Sequence, residues 1–236
     1  MADIDGVMLI DGQVQPGVKE LAQIFGDKLA MVSNNSTHTS VELCNIFTQA
    51  GVTVKPEQFF LAGEYIVKQL AISLNSGKIL ALGSPSILRL ARQLGLQLLR
   101  WHLWFEAEAV LLCRDMNINY RKLESAANAA LTGKPVFCAN SDITHPSSKG
   151  IHLETGSLLA LLWSVAPKMK VHILGKPAPE LALQALKFVN TQSQDTLFLG
   201  DNLTTDAACA RDAGIPFWHV GGNSGLSLMQ AIKVWL

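Results

Sequence analysis

Short apolar runs alternate with segments of helical periodicity along the whole chain. A short apolar run between turn residues is typical of a buried strand, and apolar residues three and four apart are typical of a helix with one buried face. The runs that fit strands are Leu29–Val32, Lys78–Leu82, Ala109–Cys113, Val136–Ala139, Val171–Leu174, Thr196–Leu199 and Phe217–Val220. The segments that fit helices are Val18–Phe25, Ser40–Ala50, Pro85–Leu94, Tyr120–Leu131, Gly156–Val165 and Pro179–Val189. This alternation predicts an α/β fold built on parallel sheet.

The composition limits the classes of function. Of the 236 residues, 49 % are hydrophobic and 16 % are charged, so the chain can bury a substantial core. Lys plus Arg and Asp plus Glu both number 19, without a basic stripe, which argues against nucleic acid and anionic membranes as partners. The longest apolar run is about half the length of a membrane-spanning helix. The four scattered cysteines and the absence of a signal-peptide pattern predict a reduced, cytoplasmic protein.

Polar groups stand at four strand ends, and the carboxyl ends of strands are where ligands bind in open α/β sheets. Asp3 and Asp5 are two positions apart, so both side chains point to the same side of the backbone. One can act as nucleophile and metal ligand, and the other can offer a carbonyl to the metal and a carboxyl for proton transfer. Ser33 and the backbone N–H of Asn34 can hold phosphate oxygens.

The other two strand ends carry charge. Lys176 lies between a glycine and a proline and is a positioned positive charge. Asp201 and Asp206 add carboxylates at the start of a helix, and such oxygen ligands suit Mg²⁺. Each segment alone also fits a turn or a helix cap. The four together, in this order, predict phosphate chemistry on a carboxylate nucleophile.

The sequence resembles the haloacid dehalogenase (HAD) superfamily, and within it the NagD-like, nitrophenylphosphatase branch. The segments that carry the resemblance span nearly the whole chain: DIDGVMLIDGQVQPG, VSNNST, CRDMNINYRKL, CANSD, LGKPAPE and GDNLTTDAACARDAG. The resemblance implies a Rossmann-like core with parallel sheet at residues 1–58 and 170–236. It also implies an inserted α/β cap domain at residues 59–169, which explains why no linker is visible in the sequence.

The same resemblance implies a Mg²⁺-dependent phosphatase that hydrolyses small phosphorylated metabolites, of the nucleotide or sugar phosphate type, through an aspartyl-phosphate. Asp3 would be the nucleophile, and Asp5 would protonate the leaving oxygen and then activate water. Mg²⁺ would be bound by Asp3, the Asp5 carbonyl and Asp201. The remaining implied roles are phosphate binding by Ser33, Asn34 and Lys176, orientation of Asp201 by Asn202, and a water-mediated or supporting contact to the metal from Asp206.

The resemblance places substrate selection in the cap. The stretch from Cys138 to Pro146 matches the family's substrate-facing loop, with Asn140 and Asp142 as candidate contacts. His145 is either a third contact or a plain surface residue. The aromatic cluster Trp101–Trp104 fits either the interior of the cap or a contact between two copies, which would make a homodimer.

The chain departs from the family pattern at both ends, which look trimmed. Only Met1 and Ala2 precede Asp3, where family members carry a longer apolar strand. A buried strand normally needs about five residues, so we expect this chain to be less stable and less active than one extended upstream by apolar residues. Two alternatives to a phosphatase therefore stay open: a catalytically impaired HAD-like binding protein, and a phosphotransferase that passes the phosphoryl group to a sugar hydroxyl.

Overall fold

The computed structural model describes residues 1–147, 149–221 and 225–235, with Pro146 and Trp235 described for their backbone alone. The strands are β1 (Leu9–Ile10), β2 (Gln13–Val14), β3 (Met31–Ser33), β4 (Phe59–Leu61), β5 (Lys78–Leu82), β6 (Gln97–Leu98), β7 (Ala109–Leu112), β8 (Val136–Cys138), β9 (Thr144–Ser147), β10 (Gly150–Leu153), β11 (Val171–Ile173), β12 (Phe198–Gly200) and β13 (Phe217–His219). The helices are α1 (Val18–Phe25), α2 (Ser40–Gln49), α3 (Ala62–Leu74), α4 (Pro85–Gln93), α5 (Tyr120–Leu131), α6 (Thr155–Val165), α7 (Glu180–Val189), α8 (Asp206–Asp212) and α9 (Leu228–Trp235). Within these residues, no helix is both long enough and apolar enough to cross a membrane.

A first parallel sheet is built around Ala2. Strands β3 and β4 pair on one side of it and β12 and β13 on the other, and Ala2 bridges Met31 and Leu199 between them. The Ala2 N–H donates to the Ala30 carbonyl at 3.0 Å, and the Asp3 N–H donates to the Leu199 carbonyl at 2.8 Å. The order is therefore β4–β3–Ala2–β12–β13, and Asp3 leaves the sheet at its centre.

A second parallel sheet has five strands in the order β11–β8–β7–β5–β6. Along β5, Ile79 and Ala81 pack into one cluster with α3 and α4, while Leu80 and Leu82 pack into another with α5 and α6. Since helices cover both faces, every position of the strand interior is apolar. This is why β5 and β7 read as unbroken apolar runs in the sequence.

The predicted α/β class with parallel sheet is confirmed. Each predicted strand and helix is present, with bounds that differ by up to two residues. The helix predicted to start near Asp206 is α8, whereas the pattern missed α3, α9, the strands β4 and β6, and the hairpins β1–β2 and β9–β10.

The division into a core and a cap at residues 59 and 169 stays a prediction. Strand β4 pairs with β3 in the first sheet, whereas β11 pairs with β8 in the second sheet. Strand pairing therefore favours domain edges a few residues later, after Leu61 and after Ile173.

The aromatic segment Trp101–Glu106 forms a 3₁₀ helix beside α5. Trp101 and Trp104 are half-buried and pack against the cluster that α5 and α6 form on the second sheet. The Lys122 ammonium lies 5.0 Å from the centre of the Trp101 ring, close enough for a cation–π contact. These contacts favour the interior interpretation for the two tryptophans, and a homodimer through this region stays a prediction.

Candidate active site

A buried lysine lies between two buried carboxylates at the carboxyl end of the first sheet. The Lys176 ammonium donates to Asp3 Oδ1 at 2.6 Å and to Asp206 Oδ1 at 2.5 Å. A third hydrogen bond, of 3.0 Å, goes to the Val32 carbonyl at the end of β3. Only 2 % of Lys176 is exposed, so these contacts are shielded from water and fix the side chain. The lysine thus holds the Asp3 carboxylate in one position.

Three carboxylates converge at this point. Asp3, Asp201 and Asp206 each offer an oxygen, and these oxygens all lie within 4.8 Å of one another. Gly6 makes the approach possible, because a Cβ at this residue would lie 2.3 Å from Asp201 Oδ2 and its φ is +96°. Three carboxylates exceed the charge of one ammonium, and their oxygens are donors that suit a hard divalent cation.

The pKa values in this cluster reflect the excess negative charge. Burial and the charge of Asp206 raise the pKa of Asp3 above its ordinary value, and the Lys176 ammonium opposes the shift. Burial lowers the pKa of Lys176, but the charges of Asp206 and Asp3 outweigh burial and raise it above its ordinary value. Burial, followed by the charge of Asp206, raises the pKa of Asp201 to about 6. A cation bound here would favour the ionised form of each carboxylate.

A hydroxyl and an exposed carboxyl lie next to the cluster. The Ser33 hydroxyl donates to Asp5 Oδ2 at 3.2 Å and accepts from the Asn35 N–H at 3.0 Å. The Asn35 side chain also donates to Asp5 Oδ2, at 3.4 Å. Asp5 is exposed, whereas Ser33 is buried. The Asp5 carboxyl is therefore accessible to a substrate, while the Ser33 hydroxyl lies buried next to it.

The predicted residues Asn34, Asn140 and Asp142 meet where the two sheets contact each other. The Asn34 amide donates to Asp142 Oδ2 at 2.8 Å and to the Lys176 carbonyl at 2.9 Å. The Asn140 amide donates to the Asn34 carbonyl at 2.7 Å. Asn140 is 1 % exposed and does not face solvent. Its hydrogen bond therefore supports the Asn34 loop from the protein interior. Gly175 completes the contact, because a Cβ there would lie 2.5 Å from the Ala139 carbonyl.

Asn202 makes its hydrogen bonds within the turn before α8. Its backbone N–H donates to Asp206 Oδ2 at 3.1 Å. Its side-chain oxygen accepts from the Thr204 N–H at 2.9 Å and from the Thr205 N–H at 3.3 Å. Asn202 therefore shapes the turn before α8 and positions Asp206, and the prediction that it orients Asp201 is not supported by its hydrogen bonds.

Sequence reasoning missed a second polar group beside the site, formed by Arg114 and Glu154. Arg114 Nε lies 3.6 Å from Glu154 Oε1, and His145 Nδ1 lies 2.7 Å from the same oxygen. The backbone N–H of Arg114 donates to the Ser36 hydroxyl at 3.1 Å. This hydrogen bond places the Arg114–Glu154 group next to the loop that follows β3. The rule used for the first sheet would have found Arg114, because it directly follows the strand run Ala109–Cys113.

Two family models match the chain. The model described as haloacid dehalogenase-like hydrolase matches residues 1–97, and the model described as HAD-hydrolase-like matches residues 173–227. The first stretch contains Asp3 and Asp5, and the second contains Lys176, Asp201 and Asp206.

Characterised relatives match over most of the chain. Dihydroxyacetone phosphatase of Corynebacterium glutamicum is 26 % identical over 91 % of this chain and 78 % of its own length. D-glycerol 3-phosphate phosphatase of Mycobacterium tuberculosis is 30 % identical over 99 % of this chain and 66 % of its own length. Ribonucleotide monophosphatase NagD of Escherichia coli is 25 % identical over 91 % of this chain and 84 % of its own length.

A solved structure agrees with these matches. Glycerol phosphate phosphatase of Mycobacterium tuberculosis in complex with magnesium superposes with a TM-score of 0.84 at 26 % identity, covering 95 % of this chain and 68 % of that one. The same enzyme is also known in complex with calcium. The fold, the acidic cluster and the matches define a haloacid dehalogenase-like hydrolase. The chain belongs to this superfamily and, within it, to the NagD-like, nitrophenylphosphatase branch, and it is accordingly a phosphoric monoester hydrolase.

Proposed function

We propose that this protein hydrolyses small phosphate monoesters with Asp3 as the nucleophile and Mg²⁺ as the cofactor. The observation that carries the proposal is the buried Lys176 ammonium, which holds Asp3 and Asp206 at 2.6 Å and 2.5 Å beside Asp201. Such an arrangement lowers the stability of the fold, because it buries more negative charge than Lys176 neutralises. Buried charge of this kind is typical of a site whose function is to bind a cation and act on a substrate.

The donor set fits Mg²⁺. The carboxylates of Asp3 and Asp201 and the carbonyl of Asp5 would hold the ion, with Asp206 bound to Lys176 behind them. All of these donors are oxygens, the ligand type that Mg²⁺ prefers. When bound, the ion supplies positive charge that offsets the repulsion between an anionic nucleophile and an anionic phosphate.

The reaction divides into two displacements at phosphorus. In the first, an Asp3 oxygen forms a bond to phosphorus, the bond to the ester oxygen breaks, and Asp5 gives that oxygen a proton. In the second, Asp5 takes a proton from water, the water oxygen bonds to phosphorus, and the bond to Asp3 breaks. The products are the alcohol and inorganic phosphate, and both aspartates return to their starting forms. Ser33 and the N–H groups of its loop would bind the phosphate oxygens throughout.

The substrate class rests on the relatives and on the region above the site. The relatives are named for dihydroxyacetone phosphate, glycerol 3-phosphate and ribonucleotide monophosphates, which supports a small ester of the nucleotide or sugar phosphate type. The loop from 140 to 146 belongs to the proposed cap and, with Asp142, would contact the alcohol part of the ester. The buried, unpaired cysteines favour a reducing compartment such as the cytoplasm.

The test is phosphate release from a panel of monoesters, with and without Mg²⁺. We expect release with Mg²⁺, loss of activity on chelation, and at least a thousandfold lower kcat for Asp3→Asn, since a covalent nucleophile typically contributes orders of magnitude. Asp27→Asn, at an exposed ion pair with Lys55, is the matched control and should keep full activity. Activity above about a tenth of wild type in Asp3→Asn would exclude Asp3 as the nucleophile.

The same assay separates the alternatives. A phosphotransferase would release little phosphate in water alone and would transfer the group when a sugar is added. A binding protein would release none, although a phosphate ester would still raise its melting temperature. The intact set of Asp3, Asp5, Lys176 and Asp201 favours hydrolysis over a binding-only protein.

A further inference from the structure

A histidine side chain lies against the backbone of one of the three clustered carboxylates. His219 is the last residue of β13, and its Nε2 lies 3.0 Å from the carbonyl oxygen of Asp201. A carbonyl oxygen can only accept a hydrogen bond, so Nε2 must carry the proton and donate it. The contact therefore fixes which ring nitrogen of His219 is protonated, and it ties β13 to the turn that follows β12.

The register of the sheet explains why a side chain makes this contact. His219 lies opposite Gly200 in the parallel pairing of β12 with β13, and the Val220 N–H donates to the Gly200 carbonyl at 2.8 Å. Strand β12 ends at Gly200, so the backbone ladder does not reach the next carbonyl, that of Asp201. Among the residues that the structure describes, the His219 imidazole is the only hydrogen-bond donor to this carbonyl.

Asp201 depends on such a contact more than the other two carboxylates of the cluster do. Asp3 and Asp206 both accept from the Lys176 ammonium, and Asp206 also accepts from the Asn202 N–H. Within the described part of the chain, no side chain donates to the Asp201 carboxyl, which is supported by its own backbone N–H. The direction of this carboxyl is therefore set by the backbone of Asp201 itself.

The close neighbours of the Asp201 side chain are two glycines. A Cβ at Gly6 would lie 2.3 Å from Asp201 Oδ2, and a Cβ at Gly221 would lie 3.3 Å from Asp201 Cβ. Because glycine has no side chain, these contacts limit the space around Asp201 but give its carboxyl no hydrogen bond. The hydrogen bond from His219 is therefore a directional restraint on a residue that has few others, in a site where ligands must be held within about half an ångström.

We propose that His219 is a positioning residue for the metal site, which holds the Asp201 carbonyl and thereby directs the Asp201 carboxyl towards Asp3, where a divalent cation would bind. This deepens the proposed function and rests on it, since Asp201 is there assigned to Mg²⁺. His219 acts through Asp201 and touches neither the cation nor the substrate. A residue that orients a metal ligand in this way typically contributes about ten- to hundredfold to metal affinity.

The test is the dissociation constant for Mg²⁺ in the absence of substrate, measured by calorimetric titration of wild type, His219→Gln and His219→Leu. Glutamine places an amide N–H the same number of bonds from the backbone as histidine Nε2, whereas leucine has no donor. We expect Mg²⁺ binding to be weaker by about tenfold or more in His219→Leu and nearly unchanged in His219→Gln. His102→Leu, at an exposed position of the aromatic segment Trp101–Glu106, is the matched control and should bind Mg²⁺ like wild type.

Kinetics separate a positioning role from simple damage to the fold. In His219→Leu the Mg²⁺ concentration that gives half the maximal rate should rise together with the dissociation constant. Its kcat at saturating Mg²⁺ should stay close to that of wild type, because excess cation compensates for a poorly oriented ligand. A merely structural role would lower the melting temperature equally with and without Mg²⁺ and would leave the dissociation constant unchanged.

Two results would overturn the inference. One is wild-type affinity for Mg²⁺ in His219→Leu, and the other is an equal loss of affinity in His219→Gln and His219→Leu. In both cases Mg²⁺-dependent phosphate release by the wild type would still support the proposed function. If the wild type binds no Mg²⁺ and releases no phosphate, the proposed function fails and the inference fails with it.

Discussion

At the residue scale, the acidic cluster stores unfavourable charge in the protein. Asp201 is the clearest case, because burial and the charge of Asp206 raise its pKa to about 6 from an ordinary value of 3.8. Between these two values the folded protein binds a proton that the unfolded chain does not. The stabilising effect of that proton is present below about pH 4 and is lost as the pH rises through 6. In the absence of a cation, ionised Asp201 therefore destabilises the fold at neutral pH.

This gives a prediction for Asp201→Asn. Without divalent cations, the variant should melt a few degrees above wild type at pH 7.5, as expected for about 1–2 kcal/mol in a chain of this size. At pH 3.5 the difference should largely disappear, because Asp201 is then mostly protonated in both the folded and the unfolded wild type. Thermal melts at the two pH values, with EDTA and then with excess Mg²⁺, measure the effect.

The Mg²⁺ arm supplies the control. A cation that binds only the folded wild type raises its melting temperature by mass action, and the variant should gain much less. If the variant melts below wild type at pH 7.5 without metal, the ionised Asp201 carboxylate does not destabilise the fold.

At the scale of elements, the two sheets contact each other through the side-chain amides of Asn34 and Asn140. Asn140 follows β8 and donates to the carbonyl of Asn34, which follows β3, at 2.7 Å. Asn140 is 1 % exposed, whereas Asn34 is half-buried. The strand ends of the two sheets are therefore joined by a partly buried hydrogen bond.

We expect Asn140→Ala to lower the free energy of unfolding by about 1 kcal/mol, because it removes the partly buried hydrogen bond to the Asn34 carbonyl. It should also raise KM for phosphate esters, since the Asn34 loop would lose its support. Asn128→Ala, at an exposed position of α5, removes the same amide and should cost almost nothing. Urea unfolding of the two variants decides the matter, and equal midpoints would contradict the role given to Asn140.

Sequence patterns identified helices whose apolar residues form one stripe and strands that are apolar throughout. They missed elements whose apolar residues are spread over several sides. Helix α3 contributes Ile66, Val67 and Leu70 to a cluster shared by both sheets, yet Ile72 on the same helix is 75 % exposed. Its apolar residues therefore do not form one stripe, and the helical period is weak. The strands of two or three residues, such as β4 and β6, are too short to show a period at all.

The site was partly predictable for a related reason. Polar residues after strand runs pointed to Asp3, Ser33, Lys176 and Asp201, because parallel strands deliver their carboxyl ends to one edge. Which edges of two sheets face each other depends on packing between distant segments. Spacing along the chain therefore could not show that Arg114 would lie over Ser36, or that Asn202 would bind Asp206.

At the scale of the whole molecule, a cavity of about 560 Å³ lies along the first sheet. It is lined mainly by apolar side chains, including Leu29, Leu197 and Trp218, and Met1 borders it. The Met1 amine donates to the Leu197 carbonyl at 2.7 Å, and burial lowers its pKa to about 5 from 8.0. An apolar space beside a buried amine is an unfavourable combination for the stability of the first sheet.

Adding four apolar residues of high strand propensity before Met1 should raise the melting temperature by several degrees. Each aliphatic side chain buried in the cavity is worth about 1.5–3 kcal/mol, and the amine would become a neutral amide. An extension of the same length made of glycine and serine removes the amine but fills nothing, and it separates the two effects. Equal melting temperatures for the original and the apolar extension would show that added residues do not enter the cavity.

The first sheet has a consequence for how the protein is made. Its two halves, β3–β4 and β12–β13, are separated by well over a hundred residues and are joined by the segment from Met1 to Asp3. During synthesis the second sheet, which comes between them, can form while Ala2 has just one neighbouring strand. Asp3 can gain Lys176 and Asp206 only after these later segments have left the ribosome, so its carboxyl stays without these partners while the second sheet is being made. The acidic cluster therefore cannot assemble until both halves of the first sheet are present.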